Sequence, residues 1–297
     1  MTTRIAALLT ASIVCSAASL VAPAVAQTTP ATSAAAADPV AAAYRMLAEK
    51  VGPALVSVKF TMKIEGMGDD AGRESETNGV LVDPAGLVLV SNAKIGGMAA
   101  RMGMTANPTD IKVFQGDDAE GLKGRVIARD TELDLAWIQI DDDKAKGKTF
   151  PAVDPAAGTM PAVGDKIMVV DRMGKFFDNA VVIEEARVGG LTTKPRKLII
   201  PSGMSDRRAF SALGMPMFAA DGRMIGVSII QMPGKEDMEG GGEMGEGNAA
   251  IAILPASEVA KATARGKEAA AKAPAAAEGE KKDDAPADAP TDGAEKK

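Results

Sequence analysis

Short runs rich in Val and Ile, each cut off by Gly, Pro or Asp, succeed one another from position 55 to position 254. They fall at 55–62, 79–82, 87–91, 111–115, 125–128 and 135–140, then at 166–170, 179–188, 197–200, 224–231 and 249–254. β-Branched side chains suit a pleated, half-buried surface, and runs this short are strand-length rather than helix-length. Many short strands divided by turn residues specify an all-β sandwich or barrel. Residues 141–163 are polar, contain proline and show no periodicity, so they are expected to link two halves. No internal repeat is visible.

The ends read differently. Arg4 precedes an apolar stretch from Ile5 to Val21, and Ala24-Val25-Ala26 before Gln27 is a small-x-small cleavage pattern. Residues 1–26 are therefore expected to be a signal peptide, and the protein to be exported, periplasmic or secreted. The apolar run is short for a membrane anchor, and no other segment is apolar enough to span a bilayer. Residues 27–37 are expected to be a flexible Ala/Thr/Ser/Pro leader. Asp38 and Pro39 then suit the N-cap and first position of a helix over 40–50, closed by Gly52-Pro53. The folded domain is expected over 38–264 and a disordered Ala/Lys/Glu/Asp/Pro tail over 265–297.

The chain contains no histidine. That excludes a histidine general base, a Ser-His-Asp triad and any zinc site built on imidazole. Its one cysteine, Cys15, lies in the segment to be removed, so no disulfide and no thiol nucleophile are expected. With 34 basic and 40 acidic residues and a net charge of −6, no basic stripe stands out, and nucleic acid is not an expected partner.

Four segments, in order, resemble the HtrA/Deg group of trypsin-like serine proteases. Residues 79–95 read GVLVDPAGLVLVSNAKI, where the family has a hairpin G-v-I-v-d-p-x-G-x-I-l-T-N-x-H-V ending on its catalytic histidine. Residues 128–140, ARDTELDLAWIQI, match D-x-x-x-D-L-A-x-l-x-I, whose second aspartate is the triad acid. Residues 211–218, SALGMPMF, followed by DGRMIGV at 221–227, stand where the family has G-N-S-G-G-P-L and G-x-v-I-G-i. Residues 249–259, AAIAILPASEV, look like its last strand and A-I-P turn. The resemblance covers residues 51–260 and implies a trypsin-like double β-barrel. Nothing after Val259 is expected to build the PDZ domain that usually follows in the family.

The resemblance implies a degenerate site. Lys94 takes the histidine position, Leu213 the nucleophile position, and only Asp134 of the triad is kept. A leucine offers no lone pair, so no acyl-enzyme forms on it. The family's oxyanion loop is altered as well, with Ser211, Ala212, Gly214 and Met215 around the lost nucleophile. Asp134 can equally be a core acid. Lys94 and Asp134 are expected to form an ion pair close to Leu213, which would raise the lysine pKa.

These features point to a pseudoprotease that binds a protein or envelope partner, by strand addition in the cleft, or serves a structural role, with no cofactor and no metal expected. One alternative is a rearranged hydrolase in which Lys94 is the base for Ser211. Another places binding in the tail. Met98, Met102 and Met104, with Met238 and Met244 in the acidic glycine-rich stretch 234–247, also raise a thioether site for Cu(I), against the plainer role of methionine as contact surface.

Overall fold

The computed structural model describes residues 38–64, 72–232 and 250–272. The expected signal peptide, leader, stretch 234–247 and the tail beyond Lys272 lie outside the described residues.

Helix α1 (Pro39–Val51) opens the described chain and buries Ala43, Leu47 and Val51. These positions repeat every four residues, so they share one face. That face lies over the second of two six-stranded barrels.

The first barrel contains β1 (Leu55–Ile64), β2 (Arg73–Asp83), β3 (Leu87–Ser91), β4 (Ala106–Gln115), β5 (Leu122–Asp130) and β6 (Leu135–Ile140). They pair in the order β1-β2-β3-β6-β5-β4, and β4 returns to β1. The second contains β7 (Lys166–Arg172), β8 (Val181–Thr192), β9 (Leu198–Ser202), β10 (Pro216–Phe218), β11 (Met224–Gln231) and β12 (Ala250–Pro255). Its order is β10-β11-β12-β9-β8-β7, with β7 closing on β10. Closure removes the unpaired edges that an open sheet would expose. Val88, Val90, Val113 and Ile138 fill the first barrel; Ile167, Val169, Met217 and Ile225 fill the second, all buried.

Two expectations need correction. Residues 141–163 do more than link: Phe150 is buried, its N–H donates to Pro84 O at 3.0 Å, and Val153 N–H donates to Leu81 O at 2.9 Å. The segment is laid along the end of β2 by these bonds and by turns capped by Asp142 and Asp154. Nor does the folded part stop at Ala264. Helix α4 (Ala256–Lys272) buries Val259, Ala262, Thr263 and Gly266. Thr263 Oγ1 accepts from Trp137 Nε1 at 3.1 Å, and a Cβ on Gly266 would stand 3.2 Å from the indole ring. The helix approaches the barrel so closely that its buried stripe consists mostly of small residues, which in sequence read as solvent-facing.

Candidate functional site

The three positions singled out above meet where the barrels face each other. Strand β3 runs beside β6 with Ser91 opposite Leu135, and Asn92 N–H donates to Asp134 O at 3.0 Å. This register sets the turn Ala93–Ile95 against Asp134. Asp134 has a left-handed backbone, φ 55°, an uncommon conformation for a residue with a Cβ. Its carboxylate is sealed at 1% exposure. It accepts from Ser91 Oγ at 2.9 Å, Ala93 N at 2.7 Å and Ile230 N at 3.1 Å. The last of these donors belongs to β11, so the acid ties one barrel to the other. Burial raises the Asp134 carboxyl above the usual carboxylate range, against the downward pull of these three hydrogen bonds.

Lys94 does not make the expected pair with Asp134. Its Nζ donates to the carbonyl oxygen of Ser211, at 2.6 Å. Ser211 is the last residue of α3 (Asp206–Ser211), so the ammonium sits on a carbonyl at the negative end of a helical turn. The expected pKa direction is reversed too. Burial pushes Lys94 below the ordinary lysine value, although Asp171 and then Asp134 pull it upward. Lysine is long enough to pass Asp134 and reach the second barrel, and the acid already accepts three hydrogen bonds from nearer donors.

Leu213 is fully buried. Its N–H donates to Phe210 O at 3.3 Å, and Ala212 N–H to Arg208 O at 3.0 Å. Met215 N–H donates to Ala212 O at 2.9 Å. Gly214 turns the chain with φ 84°, and its N–H reaches Ser228 O at 2.8 Å. A Cβ there would lie 2.6 Å from Ser91 N, so this position requires glycine on two counts. The loop thus spends its N–H groups on its own carbonyls and on β11. An oxyanion needs such groups free and convergent. Ser211 Oγ donates to Arg208 O at 2.9 Å and accepts from Arg208 Nη1 at 3.2 Å, so the hydroxyl is folded back along its helix.

Sequence reasoning missed the group that holds α3. Arg208 Nη1 donates to Asp171 Oδ2 at 2.7 Å, and its Nε lies 2.8 Å from Glu184 Oε1. Asp171 Oδ1 also accepts from Asn78 Nδ2 at 2.9 Å, across the gap between the barrels. The signal was present: Asp171 follows the wholly buried run Ile167 to Val170 on β7. A buried charge in a strand calls for a partner.

Among the described residues no group of three or more His, Cys, Asp or Glu side chains is placed to hold a metal ion. Met98 lies within the short helix α2 (Gly97–Arg101), and Met102 and Met104 follow its end, with Met102 exposed; Met238 and Met244 lie outside the described residues.

The two closed barrels can now be set beside known structures. The crystal structure of Deg5 superimposes with a TM-score of 0.50 at 17% identity, over 74% of this chain and 92% of that one. The chain has the trypsin-like fold. The protease domain of MamO from Magnetospirillum magneticum, in its apo form, gives a TM-score of 0.45 at 17% identity, over 72% and 97%. No family model and no curated relative matches the chain.

Proposed function

We propose that this trypsin-like domain is a non-catalytic homologue of serine proteases, exported from the cytoplasm, that works by binding a protein or envelope partner or by structural support. One observation carries the reading. At the nucleophile position stands a buried leucine whose own N–H is bonded to Phe210 O. The attacking atom and one arm of an oxyanion hole are lost together. Lys94, at the base position, is committed to a carbonyl. Export rests on the pattern of residues 1–26, and among the described residues no helix is long and apolar enough to cross a membrane.

A second reading is favoured by one specific fact. Burial lowers the Lys94 pKa, the direction a general base requires, so a Lys94–Ser211 hydrolase has the right electrostatics. It has the wrong geometry, since the serine hydroxyl donates to Arg208 O and the ammonium meets the carbonyl. Incubation with casein and with a peptide library decides between them. No cleavage above a boiled control is expected. Cleavage that disappears in Ser211→Ala, with the fold intact, would establish the hydrolase and overturn the non-catalytic reading.

A further inference from the structure

Helix α2 is little more than one turn long, and the chain folds back as it leaves. Met102 N–H donates to Met98 O at 3.3 Å and to Ala99 O at 3.0 Å. Gly103 N–H donates to Ala100 O at 3.1 Å and Met104 N–H to Ala99 O at 3.0 Å, with Gly103 left-handed at φ 77°. These two bonds around a left-handed glycine are the Schellman closure, which brings the residue after the glycine back against the helix, here Met104 against Ala99.

The closure decides where three methionines stand. Met98 and Met102 are four residues apart, so they lie about 40° apart around the helix axis. Ala99 lies about 60° further round on the Met102 side, and Met104 is returned over it. Ala99 is buried and has no bulk beyond Cβ, so it leaves room between its longer neighbours. Met98 and Met104 are half-buried and Met102 is 64% exposed, so the cluster is open to solvent through Met102. Its backbone is held before any ligand arrives. Gly97 N–H donates to Asn92 O at 2.8 Å, and Arg101 Nη2 donates to Thr131 O at 2.5 Å.

The surroundings select the kind of ion. Residues 92–109 contain no Asp and no Glu, so this stretch offers no carboxylate for a hard cation. The whole chain has no histidine, and its one cysteine is Cys15. Thioethers are soft ligands and favour Cu(I) over divalent zinc, calcium or magnesium. Arg101, the cation on the helix, is turned to the Thr131 carbonyl.

We infer that Met98, Met102 and Met104 form a thioether site for one Cu(I) ion. Three unbranched side chains, each with three rotatable bonds, close on the ion from one end of a fixed turn. The ligands are neutral, so binding releases no proton from them. The site uses none of Lys94, Asp134 and Leu213, so it stands whether or not the domain is catalytic.

The test uses the chain without its first 26 residues, which removes Cys15 and leaves thioethers as its only soft side chains. Cu(I), kept reduced with ascorbate under nitrogen, is offered as its bicinchoninate complex. Loss of the complex's absorbance counts the ions withdrawn. Met98→Leu/Met102→Leu/Met104→Leu should withdraw one equivalent fewer than the native chain. Met160→Leu, which changes an exposed methionine elsewhere, should match the native chain. Leucine for methionine conserves volume, and an unchanged thermal transition shows that the triple variant folds. Met102→Leu alone, at the most exposed of the three, should weaken Cu(I) binding by about tenfold or more. X-ray absorption at the copper edge of the loaded chain should show sulfur neighbours. The inference is overturned if the native chain withdraws no Cu(I), or if the triple variant withdraws as much. A copper shell of oxygen and nitrogen alone would overturn it too, as would Zn(II) binding that the triple variant loses.

Discussion

Replacing Asp134 by alanine leaves three donors without an acceptor: the Ser91 hydroxyl, the Ala93 N–H and the Ile230 N–H. All three surround a carboxylate that is 1% exposed, so water does not reach them without rearrangement. Each buried donor left unsatisfied costs about 1–3 kcal/mol. Ser91 can rotate its hydroxyl and recover part of its loss, but the two backbone groups cannot. Removal of an ionised group that burial disfavours returns some free energy, so the net loss should be about 2–4 kcal/mol, set by the two backbone donors that cannot turn away. Urea unfolding measures it as a fall in midpoint at unchanged slope. Amide exchange at Ile230 should accelerate alongside, because that N–H is the link to the second barrel. A loss under about 1 kcal/mol would refute the reasoning, since it would mean the donors find other partners. The pH dependence follows with a definite sign. The Asp134 pKa is raised above its ordinary value of 3.8. The folded state therefore binds this proton before the unfolded state does as pH falls. Its contribution to stability grows as pH drops through the folded pKa and levels off below 3.8. The stability of the native chain relative to Asp134→Asn should accordingly increase between neutral pH and mild acid. A relative stability that decreases over that window would show that the three hydrogen bonds outweigh burial.

Two further outcomes are expected. Lys94→His combined with Leu213→Ser should give peptide turnover at least 10²–10³-fold below that of a working serine protease, the cost of one missing oxyanion donor, because the Leu213 N–H is bonded to Phe210 O; peptide hydrolysis by the folded variant measures this, and turnover at ordinary protease level would show that the loop rearranges freely. Gly266→Leu should destabilise by about 1–3 kcal/mol despite its better helix propensity, since its Cβ alone would stand 3.2 Å from the indole. Trp137 is the only tryptophan, so its emission should shift with the substitution, and a stabilised variant with unchanged emission would place the helix away from the ring.

What could be read in advance was decided by local patterning. Strands β3, β6 and β11 match the apolar runs at 87–91, 135–140 and 224–231 residue for residue, because turn-forming residues bound each one. Strand β2 starts at Arg73, well before the apolar run at 79, because its outer half is polar. That half pairs with the far end of β1, where the burial of both strands fades. Strand β10 is three residues long and carries a register shift, too little chain for any period to show. Helix α4 was invisible for a different reason: Ala, Thr and Gly make its buried stripe, and their burial depends on how near Trp137 comes.

The site divides along the same line. That Lys94 and Asp134 come together follows from the β3–β6 register, a short-range consequence of two legible strands. Which partner each would take did not follow, because the competing acceptors lie on the other barrel. For Lys94 the choice was between a carboxylate already accepting three hydrogen bonds and the carbonyl of Ser211 at an open helix end. That helix end exists because α3 is fixed from several directions. Ser205 caps its start, Arg208 ties it to Asp171 and Glu184, and Gly214 pins the chain beyond it. Once the loop is helical, its N–H groups point along the helix and not into the cleft. The lysine then completes the helix by donating to the carbonyl of Ser211. If the domain is non-catalytic, as proposed, then Lys94, Leu213 and the helical loop that ends at Gly214 form one arrangement, and replacing the two side chains alone leaves that loop as it is.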